Sequence, residues 1–121
     1  MSRLNNQKSN TNDSSSRGVY FRIHRRHNSE VLALCDESLF GQVLYGEKAN
    51  MKVSTGFFSG QKISTEDALR LMMKYVNINA LGSTIELGIK YKVINEDAVL
   101  WFKTIDGKKV PHLLVFSFPP I

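Results

Sequence analysis

Residues 19–25 alternate in character. Val19, Phe21 and Ile23 fall on one side, and Tyr20, Arg22 and His24 on the other. A period of two belongs to a half-buried strand and not to a helix, whose period is 3.6. The polar cluster Arg26-His27-Asn28-Ser29 then turns the chain. The run Val31-Leu32-Ala33-Leu34-Cys35 is continuously apolar and short enough for a central strand. Together these segments predict a β-hairpin with a loop longer than two residues. The chain ends in the same style. Val99–Thr104 and Val110–Phe118 flank Ile105-Asp106-Gly107-Lys108-Lys109, and Asp-Gly between β-rich runs is a hairpin signal. Pro119-Pro120 stops the last strand. Hairpins at both ends commit the fold to a sheet.

Helices are predicted between them. Asp36 is placed to cap a short helical turn, Glu37–Phe40, that Gly41 ends. A third strand is expected over residues 50–54. Thr55–Lys62 reads as a loop with two glycines and two adjacent phenylalanines. Ser64-Thr65-Glu66-Asp67 has the shape of a capping box, followed by a broad apolar face from Ala68 to Val76. Ser83-Thr84-Ile85-Glu86 is a full capping box for a second, shorter helix, with Gly82 as the C′ residue of what precedes it. The expected architecture is α+β: an antiparallel sheet from the N- and C-terminal hairpins, with two or three helices packed on one face.

Residues 1–18, MSRLNNQKSNTNDSSSRG, contain one large apolar side chain beyond the initiator, Leu4. Such a segment buries too little to offset its ordering entropy and is expected to be a disordered, basic, polar tail. Residues 19–121 are then a single α+β domain. The formal net charge of +5 divides into +2 for the tail and +3 for the domain, so neither is strongly basic in bulk. The 121-residue length excludes a TIM barrel, which needs about 250 residues. Cys35 is the sole cysteine, which leaves no disulfide partner within the chain and fits a reducing cytoplasm. No apolar run approaches the ~20 residues of a membrane helix, and the N-terminus lacks the apolar stretch of a signal peptide.

The densest chemical feature is Arg22-Ile23-His24-Arg25-Arg26-His27, with three guanidiniums and two imidazoles in six residues. Guanidinium forks bind phosphate bidentately and stack on bases, and a neighbouring Tyr20 offers a platform for an unpaired base. Arg17 in the tail, and Lys103, Lys108 and Lys109 on the far hairpin, extend the candidate RNA-binding set. Neighbouring hairpins would merge the two clusters into one patch. A solvated, charged strand face is the plainer alternative. Phe57 and Phe58 are candidates for a protein-interaction loop, or for one ring plugging the core. His24, His27 and His112 lack the Cys or carboxylate company of a metal site, so no metal or other cofactor is expected. Cys35 between apolar neighbours reads as core, although a nucleophilic role beside His24 or His112 is an alternative that requires an exposed thiolate. Asp36-Glu37 and Glu96-Asp97 sit where turns favour acids, and no catalytic motif appears. Pro111 implies an edge or strand-entry position.

An ordered set of segments resembles a small archaeal family of uncharacterised proteins, domain of unknown function 424. The set comprises Val19–Arg25, Cys35-Asp36-Glu37 with Leu39-Phe40-Gly41, Gly56–Gly60, Ile78–Gly82, Ile85–Gly88, Glu96–Val99 and Val110-Pro111-His112. The resemblance covers nearly all of residues 19–118. It implies a gene setting close to archaeal translation, near an initiation-factor subunit, and carries over no catalytic residue. The expected function is therefore a small RNA-binding protein of the archaeal translation apparatus. It would be a small-ribosomal-subunit or ribosome-associated protein that contacts rRNA and small-subunit proteins and is not an enzyme. The alternatives are an adaptor for a translation initiation factor, working through Phe57 and Phe58, and a small nucleic-acid or nucleotide-processing enzyme.

Overall fold

The computed structural model describes residues 18–117. The expected tail, and Arg17 within it, lie outside the described residues except for Gly18. Eight strands and three helices follow in chain order. They are β1 (Val19–Arg26), β2 (Ser29–Asp36), β3 (Val43–Tyr45), β4 (Asn50–Lys52), α1 (Thr55–Phe58), β5 (Gln61–Ile63), α2 (Thr65–Met72), β6 (Ile78–Leu81), α3 (Ser83–Lys90), β7 (Leu100–Lys103) and β8 (Lys109–Val115). All eight strands join one sheet in the order β4-β3-β7-β8-β6-β2-β1-β5.

The fold is α+β, but the sheet is mixed and not antiparallel throughout. β2 and β6 run parallel, Leu32 opposite Ile78 and Cys35 opposite Leu81. The cause is the pair of helix-bearing connections. β5-α2-β6 passes over β1 and β2, and β6-α3-β7 passes over β8; a helical crossover returns the chain in its original direction. The short run Ile78–Leu81, placed between two helices in sequence, is the strand that makes the sheet mixed. The β1–β2 connection is also tighter than expected. Arg26 pairs with Ser29, leaving a two-residue turn in which His27 adopts φ 54°.

Both faces of the sheet carry a core, which corrects the expectation of helices on one face only. On one face, Val19, Leu32, Leu34, Ile78, Ala80 and Leu113 pack with Ala68, Met72 and Ile85 of α2 and α3. On the other, Ala33, Cys35, Leu81 and Val110 pack with Leu39, Leu44, Val53 and Phe58. The unbroken apolar run in β2 follows: alternate residues serve opposite cores, as in any strand covered on both sides. α1 belongs to the second face and starts at Ser54, whose hydroxyl accepts from Phe57 N–H. α2 starts as the capping box predicts, with Ser64 Oγ accepting from Asp67 N–H.

The start of α3 differs from the sequence expectation. Its N-cap is Gly82, not Ser83, and the cap comes from another strand. Asp36, at the end of β2, accepts from Ser83 N–H through Oδ2 at 2.9 Å and from Ser83 Oγ–H through Oδ1 at 2.7 Å. Asp36 makes no side-chain cap on the neighbouring 3-10 turn Glu37–Leu39. Gly82 N–H donates to Pro111 O at 3.0 Å, so β2, β8 and α3 meet at one joint. This also explains Pro111, which lies in interior strand β8 and not at an edge. In an antiparallel ladder the N–H and C=O of one residue face the same neighbour. The missing N–H of Pro111 therefore points past the end of β6, where no ladder bond is lost.

Gly82 holds φ +102°, and a Cβ there would lie 2.5 Å from Asp36 Oδ2. Gly107 also has positive φ, +87°, but open space around it. Gly107→Ala is expected to cost the backbone term alone, about 1–2 kcal/mol. Gly82→Ala should cost about 2–4 kcal/mol, because the cap is displaced as well. Urea unfolding of both variants checks this, and equal losses would refute the steric role of Asp36.

Candidate nucleic-acid interface

The basic cluster divides by strand alternation. Tyr20, Arg22 and His24 share the α1 face, opposite Val19, Phe21 and Ile23. On that side Tyr20 and His24 are half-buried, Arg22 is exposed, and all three make contacts within the fold. Tyr20 packs its ring on Phe40 with centroids 5.4 Å apart. An Arg22 guanidinium N–H donates to Gly56 O at 2.8 Å. His24 Nε2–H donates to Phe57 O at 2.8 Å, and the imidazole stacks on Phe57 with centroids 4.2 Å apart and planes 12° from parallel. Arg22 and His24 thus fasten α1 to β1. Their polar heads satisfy carbonyls that a four-residue helix leaves unpaired.

The tip remains exposed. Arg25 pairs with Glu30 at 2.6 Å in solvent, and Arg26 and His27 stand at the turn. His24, Arg25, Arg26, Ser29, Val31 and Phe57 line an open groove of about 350 Å³. Arg26 supplies positive charge on the same side as His24, and the stacked His24–Phe57 pair lines the groove. Phe58 fills the second core, leaving Phe57 half-buried at the groove.

The lysine cluster does not merge with this tip. Three strand boundaries separate β8 from β1. His112 is level with Leu81, Cys35 and Tyr20 across the sheet, so Lys109 extends beyond Val19 while Arg26 lies at the other end. At ~3.3 Å per residue the two clusters are roughly 30 Å apart along the strands. Lys108 approaches Asp36, and its charge acts to lower that carboxyl. Two aromatics to which the sequence reading gave no role, Tyr45 and Trp101, stand exposed near Lys103. Their signal was the alternation Leu100-Trp101-Phe102-Lys103, which puts Trp101 and Lys103 on one side.

The residues of the enzymatic alternative are dispersed. Cys35 is fully buried, and burial, with the Asp36 charge adding to it, raises its thiol far above the ordinary value. His112 is buried, its Nε2–H donating to Asn79 Oδ1 at 2.9 Å. It lies two strands from Cys35, roughly 10 Å away. His24 is held on the Phe57 carbonyl. Among the described residues no three His, Cys, Asp or Glu side chains gather as a metal ion requires. No described helix is long and apolar enough to cross a membrane.

Burial also lowers the pKa of His112 from its ordinary 6.5. The folded state therefore prefers the neutral ring, and the unfolded chain takes up a proton first as pH falls. Stability from this group is complete above pH 6.5 and declines as pH drops below it. Asp36 is shifted the other way: burial raises its carboxyl, and the Ser83 bonds and Lys108 only partly offset this. Its contribution falls as pH rises above 3.8, the ordinary value, toward the raised one. Urea midpoints across this acid range should therefore separate the two. His112→Gln should flatten the loss below pH 6.5, and Asp36→Asn should remove the opposing slope. A His112→Gln profile parallel to wild type would contradict the assignment.

Comparisons with known proteins place this geometry in a family. No curated protein matches the chain. It is similar to a solved structure described as an uncharacterized conserved protein from Methanopyrus kandleri, at 27% identity and a TM-score of 0.56, over 85% of this chain and 96% of that one. The model of the family described as Protein of unknown function (DUF424) matches residues 24–113, from the His24 that anchors α1 to the Leu113 that closes the first core. The chain belongs to that family.

Proposed function

We propose that this protein binds RNA in the archaeal translation apparatus, in the cytoplasm, as a small-ribosomal-subunit or ribosome-associated protein in contact with rRNA. The observation that carries the reading is the tip of the β1–β2 turn. Arg25, Arg26 and His27 project there beside an open groove lined by the His24–Phe57 stack. Guanidiniums at a protruding turn reach into a groove or loop of folded RNA, and phosphate neutralisation supplies the affinity. The domain's small excess of +3 makes this a local effect and not one of bulk charge. Arg22 supports the tip indirectly, by holding α1 in place. The implied family setting beside translation genes points to the ribosome as the source of the RNA.

The test is cosedimentation with small ribosomal subunits over a salt series. Binding should weaken steeply with salt. Arg25→Ala with Arg26→Ala should lower the slope of log K against log salt by about 1–2, because each lost phosphate contact removes about one counterion. Cosedimentation that survives the double substitution unchanged would remove the tip from the reading. Binding that resists salt and fails on Phe57→Ala would favour the initiation-factor adaptor instead.

A further inference from the structure

The sheet is covered unevenly. On the helix face, α2 and α3 lie over the side bearing β1, β2, β6 and β8, and the face beyond β8 is open among the described residues. Register places one row of side chains there. Tyr45 is opposite Asn50 on β4 and opposite Lys103 on β7, and Lys103 is opposite Lys109 on β8. On the same face, Trp101 lies two residues to one side of this row along β7, and Lys52 two residues to the other side along β4. Tyr45 is 41% exposed and Trp101 38%, so both rings are open to solvent. Among the described residues, Lys52, Lys103 and Lys109 make no ion pair. Lys103 and Lys109 face each other directly, a like-charge pair that destabilises a ladder.

We propose that this open face is a second RNA site, taking unpaired bases on Tyr45 and Trp101 while Lys52, Lys103 and Lys109 hold the phosphates. The inference rests on the RNA-binding reading and deepens it. Tyr45 and Trp101 occupy diagonal positions on neighbouring strands, about 7–8 Å apart, a separation that adjacent splayed bases span. Every base has a face that stacks on an aromatic ring, so two exposed rings on a rigid sheet select single strands over sequence. A phosphate between Lys103 and Lys109 converts their repulsion into attraction. A paired helix hides its base faces and does not fit. The site lies at the opposite end of the sheet from the arginine tip, so one structured RNA would meet the protein at two places.

Trp101 is the only tryptophan of the chain, so its emission reports the site directly. The full protein is titrated at low salt with an eight-nucleotide oligouridylate and with a blunt RNA duplex of equal charge. The oligouridylate should quench Trp101 at a concentration at least tenfold lower than the duplex does. Tyr45→Ala should weaken it by about ten- to a hundredfold, in line with one lost base stack. Lys103→Gln with Lys109→Gln should lower the salt slope by about 0.7, the share of the one phosphate they hold together on a single strand. In a labelled-oligomer anisotropy assay, Trp101→Phe should retain binding and Trp101→Ala lose it, with far-UV circular dichroism unchanged in both. Unaltered Trp101 emission, or quenching by the duplex as effective as by the single strand, overturns the proposal. If subunit association still depends on Arg25 and Arg26 in that case, the RNA-binding reading stands without this site. Quenching by oligouridylate with no such dependence supports the site and removes the tip.

Discussion

The carboxylate of Asp36 joins the two halves of this fold. It sits at the end of β2 and caps a helix that begins after β6, 47 residues later in sequence. β2 and β6 run parallel and end at nearly the same level, Cys35 opposite Leu81, so the helix that follows β6 starts where β2 finishes. A short acidic side chain at that level can supply the cap that the helix's own sequence lacks. The helix N-terminus favours a negative charge, while burial opposes it. Gly82 is the complement, since a side chain there would occupy the space of the carboxylate. The position of α3, and with it the path over β8 to β7, depends on this contact.

That path leaves the sheet asymmetric. One half is buried on both faces, with α2 and α3 above and α1 with Phe58 below. The other half, toward β3 and β4, is covered below and open above, where Tyr45, Trp101 and the lysines stand. The arginine tip lies at the far end of the long β1–β2 pair. Cationic groups therefore mark two separate places on the body, each beside an aromatic platform: His24 with Phe57 at the tip, and Tyr45 with Trp101 on the open face.

Much of the local structure was legible in the sequence. Alternation in Val19–Arg25 identified β1, the apolar run identified β2 as a strand in the sheet's interior, and Ser64 marked the start of α2. Burial of Cys35 followed from its apolar neighbours, and one ring of the Phe57-Phe58 pair does plug the core. What escaped was long-range. The four-residue strand Ile78–Leu81 is too short to show a period, and its parallel pairing with β2 depends on residues far apart in sequence. Asp36 resembles a local cap because its nearest helical turn follows at once, whereas its partner is Ser83. Arg22 and His24 were correctly placed on one face, but only the fold brings the carbonyls of Gly56 and Phe57 beneath them. The open aromatic face depends on the register of β3 with β7, which no local pattern encodes.

On the proposed reading, RNA is held at both ends of this sheet. Photo-crosslinking of the protein to RNA in its native cells, followed by mass spectrometry of the adducts, tests it most directly. Nucleotide adducts are expected on the peptide spanning the β1–β2 turn and on the peptides carrying Tyr45 or Trp101, with small-subunit rRNA as the attached species. Adducts confined to other surfaces, or crosslinks to protein with none to RNA, would contradict it.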